Sequence, residues 1–140
     1  MGTRRKSREL TMQMLFQGDL GKQNPNEVRK LFWASVTDVD EETRGFAEDL
    51  YRLATSRQTE IDALIEGHAQ NWRLERMPVV DRSLLRGAVG EMLGYPKTPA
   101  AVIINESLEI ARRYAAPESI HFLNGVLDAI ARDLLKARLG

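Results

Sequence analysis

The chain has 140 residues, of which 43% are hydrophobic and 29% charged, enough apolar material for one domain with a solvated surface. It contains no cysteine, which excludes a disulfide framework, a cysteine zinc site and a thiol nucleophile, and suits a reducing cytoplasm. Net charge is +0, so the total does not announce nucleic acid, but its distribution is uneven. Arg4, Arg5, Lys6 and Arg8 open the chain against Glu9 alone, while Asp38, Asp40, Glu41, Glu42, Glu48 and Asp49 cluster against Arg44.

The basic start is not followed by an apolar run of signal-peptide length, and no stretch approaches the roughly 20 apolar residues of a membrane span. A soluble cytoplasmic chain is expected. Apolar residues recur throughout with a helical period and nowhere alternate with the period of a strand. A first helix is predicted from about Arg4 to Gly18, ended by Gly18 or Gly21, with Ser7, Leu10, Thr11, Met14 and Leu15 as its core stripe. After the turn formers Lys22 to Asn26, a short helix carries Val28, Leu31, Phe32 and Trp33. Asp40 is expected to cap a long third helix whose apolar face runs from Phe46 to His68, about 40 Å if continuous.

Asn71 to Met77 read as one or two helical turns stopped by Pro78. Asp81 caps or opens a helix carrying Leu84, Leu85, Ala88, Met92 and Leu93, which Gly94 and Pro96 end. Thr98 is expected as the N-cap of the next helix, with Pro99 in its first turn and Val102, Ile104, Leu108 and Ala111 along it. Pro117 starts the last helix, with Ile120, Leu123, Leu127, Ile130 and Leu134 on one stripe. The fold class is all-α, a compact bundle of about seven helices. It forms one domain of two small subdomains, about residues 1–70 and 71–140.

Reactive groups are scarce. His68 and His121 stand in no metal-ligand spacing, and His68 continues an apolar stripe, which reads as a core or boundary histidine. Gly87, Gly90 and Gly94 follow no strand, so they read as close-packing positions and a helix end rather than a phosphate loop. Glu106 and Glu109 are followed by Arg112 and Arg113 and read as surface pairing. No catalytic residue, metal ligand or cofactor is expected, and the chain is read as a protein other than an enzyme.

One arrangement points to binding. Arg5, Met12 and Phe16 fall opposite the core stripe of the first helix, with Arg8 and Glu9 at its margins. An aromatic face flanked by arginines suits single-stranded RNA, where bases stack and phosphates are held by cations. Periodicity equally allows Met12 and Phe16 to pack against the second group of helices.

Four stretches resemble the NusB family of transcription antitermination factors. Arg4-Arg5-Lys6-Ser7-Arg8-Glu9 with Gln13, Leu15 and Phe16 is similar to its basic first helix. Val80-Asp81-Arg82 with Leu85-Arg86, Ala88 and Glu91-Met92-Leu93 resembles a second motif. Pro99 with Val102 to Ser107 and Glu109 to Arg112 resembles a third, and Ser119 to Asp128, containing Asn124-Gly125-Val126-Leu127-Asp128, a fourth. Between about Gly21 and Asn71 only the helical pattern matches. Phe16 stands where the family often has tyrosine, and Asp81 where glutamate can occur.

The resemblance implies a helical RNA-binding adaptor that takes boxA-type single-stranded RNA of ribosomal RNA leaders together with NusE, also a small-subunit ribosomal protein. That pair works within an RNA polymerase antitermination complex. The RNA site is expected on Arg4, Arg5, Lys6, Arg8 and Phe16. By resemblance it extends to Arg113, Tyr114, Ser119, Phe122 and Asn124. The partner surface is implied around Glu75, Asp81 and Arg82, with Asp81 alternatively a plain N-cap. Asn105 is expected to bond a neighbouring loop or helix end. Two other readings stand beside the adaptor: the RNA-binding module of a ribosomal RNA methyltransferase, whose cofactor domain 140 residues leave no room for, and a purely structural interaction module. Monomer and homodimer both remain open.

Overall fold

The computed structural model describes residues 3–70 and 72–139. Helix α1 (Thr3–Gly21) runs past Gly18 and stops where Lys22 adopts a left-handed backbone (φ 51°), letting the Gln23 N–H reach the Gly18 carbonyl at 3.2 Å. That closure satisfies a carbonyl the helix end would otherwise orphan. Helix α2 (Pro25–Ser35) starts on Asn24, whose side chain accepts from the Glu27 N–H, with Pro25 at the first position, where a missing N–H costs nothing. Asp40 caps α3 (Glu41–Ser56) as expected, accepting from the Thr43 N–H at 2.8 Å.

The long third helix is not continuous. It breaks at Arg57 (φ −112°, ψ 23°), and α4 (Gln58–His68) begins with no side-chain cap. The Thr55 hydroxyl bonds back to the Tyr51 carbonyl at 2.9 Å, a contact that bends helices, and the break follows within two residues. A 3₁₀ turn at Leu74–Arg76 then leads to α5 (Val79–Gly94), α6 (Ala100–Tyr114) and α7 (Ser119–Leu139). The residue preceding α6 is Pro99, so Thr98 is not its cap. Asn71, expected to open the connecting turn, lies outside the described residues. The described residues thus form seven α-helices and one 3₁₀ turn, the all-α bundle expected.

Two apolar clusters organise the bundle. The first joins α1, α2 and α3 through Leu10, Met14, Leu15, Val28, Phe32, Trp33, Ala47, Tyr51 and Ala54. The second joins α4, α5, α6 and α7 around Ile61, Ile65, Leu85, Ile103, Leu123, Leu127 and Ile130. Helix α4 therefore packs with the C-terminal group, through Ile61 and Ile65. Met12 belongs to the second cluster, and Phe16 packs against it half-buried. Helix α1 is thus sandwiched, with its core stripe on the first cluster and its opposite side on the second.

Helix directions follow from the contacts. Ser7 donates to the Thr43 carbonyl and Thr11 to that of Ala47, so α1 and α3 run parallel. Arg8 meets Glu91 and Asp19 meets Arg82, so α5 runs against α1. A Cβ on Gly90 would sit 3.4 Å from the Ala54 Cα, so the missing side chain lets α5 close on α3. At the far side His68 bridges to α7: its Nε2 lies 2.6 Å from Asp133 Oδ2 and its Nδ1 2.7 Å from the Leu64 carbonyl. Two acceptors for two ring nitrogens are satisfied together only by the imidazolium. The Asp133 hydrogen bond, then the Leu64 carbonyl, raise the His68 pKa, while His68 lowers that of Asp133.

Two measurements test these features. Lys22→Gly removes the cost of a left-handed lysine and should stabilise the fold by about 0.5–1 kcal/mol in urea unfolding; a destabilised variant would show that the lysine side chain contributes more than its backbone costs. A raised folded-state pKa for His68 means its contribution is complete below the ordinary value of about 6.5 and is lost as pH rises through the raised value. Wild type should therefore melt above His68→Gln at about pH 5.5, with the gap closing as pH rises through the raised value.

Candidate functional site

The basic first helix lies against α6, and carboxylates fix most of its arginines. Arg5 donates twice to Glu106, at 2.7 and 2.9 Å, and remains 39% exposed. This pairing replaces the expected match of Glu106 to arginines on its own helix; Glu109 does pair with Arg112 at 2.5 Å. One turn along α1, the buried Glu9 accepts from Arg113 at 3.1 Å and from the Tyr114 hydroxyl, and Gln13 donates to the same hydroxyl at 3.2 Å. Residues about a hundred positions apart thus form one seam, in which Arg5, Arg113 and Tyr114 reach solvent. Arg113 is 67% exposed, its guanidinium anchored at one edge and open on the rest.

The other predicted RNA residues divide. Arg4 is exposed and stacks over Phe46, its Cζ 3.9 Å from the ring centroid, and Lys6 is exposed. Arg8 is not a surface group: it donates to both Glu91 oxygens at 2.8 and 2.6 Å, with side chains 10% and 2% exposed. Burial works against the Arg8 charge, but Glu91 outweighs it and the guanidinium is held above its ordinary pKa. Phe16 follows Gln13 along α1, half in solvent and half on the second cluster. Phe122 likewise leans on that cluster, while Asn124 is exposed on α7 and no contact among the described residues joins it to the seam.

Two predicted site residues turn inward. Asp81 is 3% exposed and sits in the first turn of α5 behind Pro78, so it neither caps that helix nor faces solvent. Burial pushes its carboxyl up, against the lowering effect of a hydrogen bond from Ser119, itself buried. A residue assigned to the partner surface and one assigned to RNA therefore fasten α5 to α7. Asn105 departs in the opposite sense: it is exposed on α6 rather than bonded to a neighbouring element.

Arg82 and Glu75 border a polar groove of about 920 Å³, with Asp19, Asp62, Glu66, Trp72, Arg73, Leu74 and Arg86. Arg82 donates to Asp19 at 2.5 and 3.0 Å and to the Leu74 and Met77 carbonyls, so it pins the 3₁₀ turn to the end of α1. Burial alone would raise the Asp19 carboxyl, but Arg82 and Arg86 hold it below its ordinary value. Glu75 is exposed at the rim. Sequence reasoning missed Trp72, which is 50% exposed, with its ring centroid 5.9 Å from that of Phe122. Its signal was an aromatic residue in a polar connection. Trp72 and Phe122 thus form an aromatic pair at the rim of the groove.

No group of three or more potential metal ligands occurs among the described residues, and no described helix is long and apolar enough to cross a membrane.

Comparison with known proteins gives a consistent answer. Residues 5–132 match the NusB family. The chain is 62% identical over 133 residues to the transcription antitermination protein NusB of Koribacter versatilis, covering 95% of this chain and 91% of that protein. It is 43% identical over 131 residues to the NusB of Desulforapulum autotrophicum, covering 93% and 92%. Among solved structures, T. maritima NusB superposes with a TM-score of 0.84 at 32% identity, covering 92% of this chain and 90% of that one. A chain in the crystal structure of antitermination factors NusB and NusE in complex with dsRNA gives 0.86 at 26% identity, covering 95% and 98%. The chain belongs to the NusB family of transcription antitermination proteins.

Proposed function

We propose that the chain is a non-enzymatic adaptor that holds boxA-type single-stranded RNA on the α1–α6 seam. In this reading a NusE-type ribosomal protein occupies the groove beside it, within an RNA polymerase antitermination complex. The observation that carries the reading is the seam itself, which presents Arg5, Arg113 and Tyr114 together from opposite ends of the chain. Arg4 and Lys6 extend its cations, while Phe16 and Phe122 extend its aromatic faces. Arg8, Ser119 and Asp81 position these elements from inside. The solved neighbour containing NusE and RNA supports both ligands, although its RNA is double-stranded. Half-exposed aromatic side chains favour unpaired bases, because stacking requires a base out of its duplex.

Phe16→Ala should weaken boxA RNA about 5- to 150-fold, the range expected for about 1–3 kcal/mol of stacking, with less effect on a duplex of the same sequence. Loss of stability comparable to a core truncation, about 3–5 kcal/mol, with normal affinity in the folded fraction would make Phe16 a packing residue instead. Glu106→Gln keeps a hydrogen-bond acceptor for Arg5 but removes the competing charge. It should tighten RNA binding and steepen its salt dependence, whereas Arg5→Ala should weaken binding to specific and scrambled RNA alike and flatten it.

The groove offers four carboxylates: Asp19 and Asp62 are engaged by Arg82 and Arg86, Glu66 accepts from the Leu74 N–H at 3.1 Å, and Glu75 meets Arg73 at 3.6 Å with both side chains largely in solvent, so Glu75 is the carboxylate most open to a basic partner. Glu75→Lys should slow association with a NusE-type protein and lower its salt dependence, while the melting temperature stays within a few degrees. Unaltered association in stopped-flow measurements would move the partner off this groove.

A further inference from the structure

On the side of α1 away from the seam, α2 and α3 enclose a second cleft of about 480 Å³, and its chemistry differs from that of the groove. Its wall carries Arg29, Lys30 and Arg44 against the single carboxylate of Glu48. Arg29 is committed, donating to both Glu48 oxygens at 2.8 and 3.2 Å. Lys30 and Arg44 form no ion pair among the described residues, although acidic side chains are plentiful elsewhere on α3. Two unopposed cations remain, one from each helix.

Trp33 places the second of them. The Arg44 Cζ lies over the Trp33 ring, 4.7 Å from its centre, so the indole holds the guanidinium at the cleft without taking any of its N–H donors. The ring is only 7% exposed, and its Nε1–H has no acceptor among the described residues. A buried donor without an acceptor is uncommon in folded proteins, and the residue that carries it lines the cleft. The Arg44 guanidinium, the Lys30 ammonium and the Asn26 amide make a donor-rich recess whose one carboxylate, Glu48, is already taken by Arg29.

We propose that this cleft binds a phosphate group, gripped between Arg44 and Lys30 with Trp33 as the floor. A phosphate suits it better than a single carboxylate because its several oxygens accept from both helices at once. The group is either a backbone phosphate of an RNA strand that continues beyond the seam or a small free phosphate. The RNA alternative rests on the seam being the RNA surface; the free-phosphate alternative does not, since the cleft shares no residue with the seam.

The test uses the whole chain and its two tryptophans, Trp33 and Trp72. In ¹⁵N-labelled protein, with Trp72→Phe assigning the signals, pyrophosphate should move the Trp33 indole resonance saturably. Lys30→Gln with Arg44→Gln should weaken that response about tenfold or more. If the phosphate belongs to RNA, the double variant weakens a boxA RNA carrying a long extension, lowers its salt slope by about 1.4 for two lost contacts, and leaves the short RNA unaffected. If it is a free phosphate, only the pyrophosphate response changes. The single exposed change Lys30→Gln supplies the same readings should the double variant fold poorly. Absence of a saturable pyrophosphate response together with unaltered binding of extended RNA overturns the proposal, as does an undiminished response in the variant.

Discussion

Arg8 and Glu91 meet between α1 and α5 as a doubly hydrogen-bonded pair almost out of solvent, and the remaining geometry is set around that meeting. Charges buried at this depth tolerate one register only, because sliding either helix by a turn would strand both groups without a partner. Removing one member of such a pair typically costs about 3–5 kcal/mol, whereas replacing both with apolar groups can be neutral, so its contribution is orientation more than net stability. With the register fixed, the flanking pairs fall into place: Arg5 on Glu106 and Glu9 on Arg113 toward α6, and Asp19 on Arg82 and Arg86 at the opposite end of α1.

The same constraint explains why a chain with no net charge can offer a cationic surface. Arginine is distributed here between anchoring and display. Arg8 and Arg82 are used up inside, Arg5 and Arg113 are steadied by carboxylates while still reaching solvent, and Arg4 and Lys6 are free of carboxylate partners among the described residues. A steadied guanidinium loses less conformational freedom when a phosphate arrives, at the cost of competition from the carboxylate that holds it. In the proposed RNA-binding role, affinity and selectivity would be set by the acids of the seam as much as by its bases.

Much of the fold was legible because it depends on local periodicity. The stripe of Ser7, Leu10, Thr11, Met14 and Leu15 is buried, and Asp40 caps where its position demanded. The break at Arg57 was not legible. No proline or glycine marks it; the departure lies in a threonine back-bond and one unusual pair of dihedrals. The site was half legible for a related reason. Sequence identifies a basic helix, but which of its arginines stay available is decided by Glu91 and Glu106, remote in sequence and adjacent only after folding. Ser119 and Asp81 show the same limit, since motif positions that suggest ligands can be occupied with each other.

The sandwiched position of α1 also sets an order of assembly during synthesis. Its partners α2 and α3 emerge from the ribosome soon after it, so the first apolar cluster can close early through contacts that are short in sequence. The opposite side of α1, with Met12, Glu9 and Arg5, must wait for α5 and then α6, whose matching residues are made some eighty to a hundred positions later. Until then a nascent chain displays a bare apolar strip beside uncompensated arginines, the kind of exposed surface that invites aggregation and indiscriminate attachment to polyanions. The carboxylates of α5 and α6 therefore act as late-arriving chaperoning groups within the same polypeptide, and the seam acquires its final form only when nearly the whole chain has been translated.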